Sequence, residues 1–213
     1  ILTCIIYTYS LLHGFKGISF LAKSCIYLFF GLLAYVFLFG GETKYIIETG
    51  FSAIGRVIQN FFQLATYTDP QRTTSFPQNW TIFYWAYWMV WCVATPFFIG
   101  NISRGRTVRQ TIFGGYVFGC GSTIVSFIIL GNYSLSQQVS RIADYLNMYQ
   151  QNGDLYSIII AIIRTLPCAP LILALLFITM VAFYATSFDS IALIGACYSY
   201  HKLEENESPH ALI

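Results

Sequence analysis

Charge is what the sequence has least of: 9% of its 213 residues are Asp, Glu, Lys or Arg, against about 25% in a soluble domain. A chain so poor in charge does not cover a globular surface with solvated groups. Disorder is excluded for the same reason, because it needs low hydrophobicity and high charge. The 11 basic and 9 acidic residues leave a net charge of +2, too little to argue for a nucleic-acid partner. Six cysteines (Cys4, Cys25, Cys92, Cys120, Cys168, Cys197) and three histidines occur without Cys-x-x-Cys, Cys/His or nucleophile spacing. Neither a metal site, a disulfide framework nor an enzyme constellation follows, and no cofactor is implied. A basic leader and a small-residue cleavage site are also lacking, so no signal peptide is read. The opening Ile-Leu-Thr-Cys-Ile-Ile lies inside an apolar run, which reads as an internal piece of a longer membrane protein.

What is present is apolar surface: 56% hydrophobic and 18% aromatic residues, with a mean hydropathy of +0.62. A spanning helix needs about 20 apolar residues, and the sparse charges divide the chain into such lengths. Residues 1–12 read as the tail of a truncated span, followed by spans at 18–40, 80–100, 111–131 and 169–200. The 80–100 stretch carries no charge and would rise about 31 Å as a helix. The last holds one carboxylate, Asp189. Residues 51–65 place Phe51, Ile54, Val57, Ile58, Phe61 and Phe62 at helical spacing, which predicts an interfacial helix, or else a packing helix of soluble type. A second interfacial helix is expected at 155–166, stopped by Pro167. Arg104, Arg106 and Arg109 crowd the loop 101–110 without an acid, which places that loop on the cytoplasmic side. The expected fold is a single all-α, multi-pass membrane domain.

All four tryptophans (Trp80, Trp85, Trp88, Trp91) fall in the 80–100 span. Interfacial belts explain Trp at helix ends, but Trp88 and Trp91 would lie about 12 and 17 Å in by helical rise. Tyr84, Tyr87, Trp88 and Trp91 follow i, i+3, i+4, i+7 and share a face. Such a face suits a quaternary ammonium, a cation without hydrogen-bond donors that π faces hold best. Helix packing is the other reading. In the last span Thr186, Ser187 and Ser190 accompany Asp189. A carboxylate in a span marks an interior or watery site, and hydroxyls with backbone carbonyls are hard ligands of the kind that bind Na⁺. Interhelical hydrogen bonding by Ser and Thr accounts for the same residues. Gly115 and Gly119 form a GxxxG that predicts close helix packing.

The stretch FPQNWTIFYWAYWMVWCVATPFFIGNISRGRTVRQ, residues 76–110, resembles the signature of the betaine/choline/carnitine transporter family, in wording nearest its carnitine branch. Tyr67-Thr68-Asp69-Pro70 and Thr186-Ser187-x-Asp189-Ser190 also match. The resemblance covers essentially the whole chain, as roughly helices five or six to ten of a twelve-helix protein. It implies the two-inverted-repeat bundle of the sodium-coupled amino-acid transporters, assembled as a homotrimer in the cytoplasmic membrane. It further implies half of an aromatic substrate cage, with Tyr87 and Trp88 at the signature's paired tryptophans, Trp91 three residues later, Tyr84 beside them and Trp80 as the outer-gate aromatic. A sodium site of this kind would use the Phe183 carbonyl and the Thr186 and Ser187 hydroxyls, with Asp189 in support. Where sodium-independent exchangers of the family carry an arginine and a methionine, this chain has Cys25 and Thr95, which favours sodium coupling. The expected function is secondary transport of a glycine betaine, choline or L-carnitine type solute by alternating access. A Na⁺-independent carnitine/precursor exchanger is the alternative, and a non-transporting scaffold subunit or inactive remnant is the reading from another class.

Overall fold

Inside a bilayer every backbone N–H and C=O must find a partner within the protein, and a helix supplies those partners locally. The computed structural model describes the backbone of residues 2–12, 14–92, 95–103 and 105–199. Among the described residues the regular structure is helical throughout. Helices α1 (Leu2–Leu12), α2 (Gly14–Phe39), α3 (Thr43–Gln59) and α4 (Phe61–Thr66) come first. A π-helical turn, Pro77–Ile82, runs into α5 (Phe83–Trp91), and α6 is Thr95–Ile102. Next come α7 (Val108–Gly114), α8 (Gly121–Ser126) and α9 (Asn132–Val139), joined end to end by π-helical turns at Gly115–Cys120 and Phe127–Gly131. The chain continues with α10 (Tyr145–Asn152), α11 (Leu155–Arg164) and α12 (Ala169–Ser199). Among the described residues three stretches are long and apolar enough to cross a membrane: Ser19–Phe39, Val108–Val139 and Ala169–Phe188.

Several expected boundaries are redrawn. Within the stretch 80–100, α5 runs to Trp91, where the Cys92 N–H donates to the Met89 carbonyl one residue short of the α register (3.3 Å); residues 93 and 94 lie outside the described residues, and α6 carries Pro96 in its first turn. Residues 51–65 divide at Asn60, whose side chain donates back to the Arg56 carbonyl (3.0 Å) and competes with the helix ladder. The expected loop 101–110 is shorter, because Thr107 and Gln110 form a reciprocal capping box that starts α7. Arg109 therefore sits in a helical first turn; Arg104, the side chain of Asp189 and the tail 200–213 lie outside the described residues.

The chain forms two compact units, one of Ile1–Gly50 with Tyr116–Ile213 and one of Phe51–Gly115. In the first, α1, α2 and α12 pack on one another, α11 packs on α12 and on α10, and the π turn Phe127–Gly131 packs on α2. Leu32, Val36, Ile46, Tyr133, Ile163, Leu166 and Ile172 make the buried cluster. Two phenols tie the turn before α12 to its neighbours: Tyr35 donates to the Pro167 carbonyl (2.6 Å), and Tyr133 bonds Thr165 Oγ1 (2.8 Å). Asp154 caps α11 by accepting from the Tyr156 and Ser157 N–H groups (3.0 and 3.2 Å).

Close packing uses different glycines from the expected pair. A Cβ on Gly40 would meet the Val36 carbonyl oxygen at 2.5 Å and the Tyr133 ring at 2.8 Å, and one on Gly50 would meet Ile128 Cγ2 at 2.6 Å. Nothing lies within 4 Å of such an atom on Gly115 or Gly119. Both fall in the π turn Gly115–Cys120.

In the second unit the π turn Pro77–Ile82 packs against α5. Its lead-in, residues 67–75, is irregular and runs over Pro70.

Candidate functional site

The aromatic face belongs to the second unit. Helical spacing from Phe76 through Trp80, Tyr84, Tyr87 and Trp91 stacks the rings into a ladder, with centroids 6.4, 6.2, 6.5 and 6.3 Å apart in turn. The Trp80 and Tyr84 planes lie 20° apart. Phe83 stacks on Tyr87 at 6.2 Å, and Trp88 meets Tyr87 edge-on at 6.0 Å. All five candidate aromatics thus join one connected group. Phe76 and Phe83 extend it; the signal that would have found them is their position four residues before Trp80 and Tyr87. The group is half open, with Tyr87 44% and Trp88 63% exposed. Thr95 donates to the Trp91 carbonyl (2.8 Å), so its hydroxyl proton is engaged on its own helix turn. A ladder of edge-on and stacked rings offers several negative π faces in series, each worth about 0.5–2 kcal/mol to a suitably placed cation.

Upstream of that ladder the buried carboxylate of Asp69, 1% exposed, gathers the loop around itself. Its Oδ2 accepts from the Thr74 N–H (2.9 Å), the Thr74 hydroxyl (3.1 Å) and the Ser75 N–H (3.3 Å). Its Oδ1 accepts from the Thr73 hydroxyl (3.0 Å) and the Tyr67 hydroxyl (3.4 Å). The Thr74 N–H foremost, with the Thr73 hydroxyl, holds the carboxyl far below the usual carboxylate range against the opposing effect of burial. Asp69, Arg72 and Ser75 all take positive φ, at 46°, 52° and 54°, a conformation that costs a residue with a Cβ about 1–2 kcal/mol. Beside the loop a cavity of about 270 Å³ is lined by Gln63, Leu64, Tyr67, Phe76, Pro77 and Thr81. Sequence reading noticed Tyr-Thr-Asp-Pro only as a matching motif and assigned Asp69 no role; the signal was the donor-rich Thr73-Thr74-Ser75 that follows it.

The hydroxyl cluster belongs to the first unit, at the contact of α2 and α12. Cys25, 3% exposed, places its sulfur 3.1 Å from Thr186 Oγ1. One turn away the Phe29 ring meets Phe183 edge-on at 5.7 Å and 81°. Thr186 donates to the Ala182 carbonyl (2.9 Å) and Ser187 to the Phe183 carbonyl (3.1 Å). The Cys25–Thr186 contact admits either group as donor. Cys25 and Thr186 thus meet in one seam with Phe29 and Phe183 beside them, while Ser187 is exposed and bonds back along α12. Arg106 and Arg109 are exposed and take no part in either site.

Two comparisons bear on these sites. The family model described as BCCT, betaine/carnitine/choline family transporter, matches residues 1–213. A curated protein of Escherichia coli (strain K12), "Uncharacterized transporter YeaV", is 30% identical over 181 residues, covering 84% of this chain. The chain spans 37% of the length of that relative.

Proposed function

The chain belongs to the betaine/carnitine/choline family of transporters, a family of multi-pass membrane proteins and not of enzymes, and from that premise we propose that it forms part of a secondary transporter for a quaternary-ammonium solute. The carrying observation is the connected, half-open ring ladder from Trp80 to Trp91. Glycine betaine, choline and L-carnitine share a trimethylammonium group that presents only C–H surface. Solvating it calls for π faces and not for hydrogen-bond acceptors. Tyr87, Trp88 and Trp91 hold that group; Tyr84 and Trp80 line its approach. Tyrosine in place of tryptophan at position 87 keeps a π face of lower electron density, so this position contributes less than Trp88.

Sodium drives the cycle. The Phe183 carbonyl and the Thr186 and Ser187 oxygens supply hard ligands, Asp189 supports them, and alternating access couples ion and solute. The assembly is a homotrimer in the cytoplasmic membrane. The test is uptake of radiolabelled glycine betaine, choline and L-carnitine by the full-length protein in proteoliposomes, with Na⁺ and with K⁺ in its place. Accumulation with Na⁺ alone supports symport. Uptake indifferent to the cation, and dependent on solute preloaded inside, replaces symport by exchange; no uptake of any of the three overturns transport itself.

A further inference from the structure

We propose that Asp69 is a positioning residue for the aromatic face, a loop carboxylate that sets the orientation of Trp80 without touching solute. The inference rests on the transport reading for its kinetic test alone. Asp69 binds Thr73, Thr74 and Ser75 through five donors that include Tyr67. The carbonyl of Ser75 then accepts the Asn79 N–H (3.1 Å), a backbone bond at the start of the helix that carries Trp80. A second strand of contacts runs from Gln78, whose Nε2 donates to the Thr68 and Asp69 carbonyls (2.7 and 3.2 Å). Phe76, next after Ser75, lies 6.4 Å from the Trp80 ring and shares the 270 Å³ cavity with Tyr67, the phenol that Asp69 holds. The left-handed backbone at residues 69, 72 and 75 is a strained shape that persists only when its surroundings over-determine it. The carboxylate is the group on which those bonds converge. Without it the loop relaxes, residues 75–79 lose their fixed entry into the π turn, and Trp80 turns away from Tyr84.

The experiment uses full-length protein labelled with 5-fluorotryptophan, the residue-80 resonance being assigned by its disappearance in Trp80→Phe. Asp69→Asn, which keeps the shape and loses the charge-assisted bonds, moves or broadens that resonance and leaves the Trp91 resonance in place. In uptake the KM for L-carnitine rises about fivefold with kcat changed less than twofold, and the double variant Asp69→Asn/Trp80→Phe is no worse than Trp80→Phe alone, as for two residues acting through one contact. Thr74→Val, which deletes one donor and no charge, gives a smaller shift of the same resonance and guards against misfolding as the cause. An unmoved residue-80 resonance in Asp69→Asn overturns the proposal, as do additive KM effects in the double variant. A wild type that transports none of the three solutes while the resonance still moves defeats the transport reading and leaves the positioning role standing.

Discussion

The α2–α12 seam and the aromatic helix hold their side chains in opposite ways. At the seam, side chains distant in sequence meet: Cys25 is buried against Thr186, the Phe29 ring meets Phe183 edge-on, and the Thr186 hydroxyl bonds the Ala182 carbonyl. On α5 and its π turn the partners are sequence neighbours, ring upon ring, and the outer faces stay open. Tertiary contact thus shapes the proposed ion site, whereas local helical repeat shapes the proposed solute face. A substitution in the seam therefore acts through packing as well as chemistry, while one on the ladder acts mainly through the π faces it removes.

The largest effect should come from glycine. Gly40→Ala forces a methyl against the Val36 carbonyl and the Tyr133 ring and should cost about 3 kcal/mol. Gly119→Ala, in open space, should be neutral or stabilising by up to about 1 kcal/mol. Thermal unfolding of the full-length protein in detergent checks both; equal shifts would erase the contrast between packed and open regions.

Next in size is Trp88→Leu, expected to lower L-carnitine uptake about tenfold with unchanged thermal stability, because Trp88 touches Tyr87 edge-on and is otherwise open. Tyr87→Trp should act in the opposite direction and tighten KM by about two- to threefold. Thr186→Val keeps the volume and removes the oxygen beside Cys25. It should raise the Na⁺ concentration for half-maximal uptake about fivefold and, unlike Trp88→Leu, also lower the thermal midpoint. Thr186→Val moving solute affinity but not Na⁺ dependence, or Trp88→Leu moving Na⁺ dependence, would break the assignment of ion and solute to separate regions.

The smallest effect is that of acid on the loops. Asp154, chiefly through the Ser157 hydroxyl, and Asp144, chiefly through the Gln138 side chain, are held below the usual carboxylate value. Their contribution is therefore complete above the unfolded value near 3.9 and is lost as the pH falls through the lower folded values. Thermal midpoints should be flat from about pH 7 to 5 and decline below about 4. Asp154→Asn should flatten part of that decline.

Much of the fold was legible because its signals are local. Charge spacing and apolar length located the helical stretches at 18–40, 111–131 and 169–200, which the structure forms as Gly14–Phe39, a continuous run over Val108–Val139, and Ala169–Ser199. The aromatic ladder was visible in the same way, as four tryptophans in one segment. Three features were not. The end of α5 at Trp91 and the division at Asn60 depend on hydrogen bonds that hydropathy does not report. The packed glycines are Gly40 and Gly50 rather than the GxxxG pair, since what a glycine packs against is a tertiary contact that spacing along one helix does not report. The Asp69 loop escaped because its carboxylate looks like any polar loop residue until the backbone folds Thr73, Thr74 and Ser75 around it.

The central claim is that the face from Trp80 to Trp91 recognises a permanent cation, and shape alone does not test it. Competition against labelled L-carnitine uptake by the full-length protein does, with choline and its uncharged carbon isostere 3,3-dimethylbutanol as inhibitors. The two match in size and differ in charge. Recognition by π faces predicts that choline inhibits at least about tenfold more strongly, and that Trp88→Leu narrows the gap. Equal inhibition by the two compounds would contradict it.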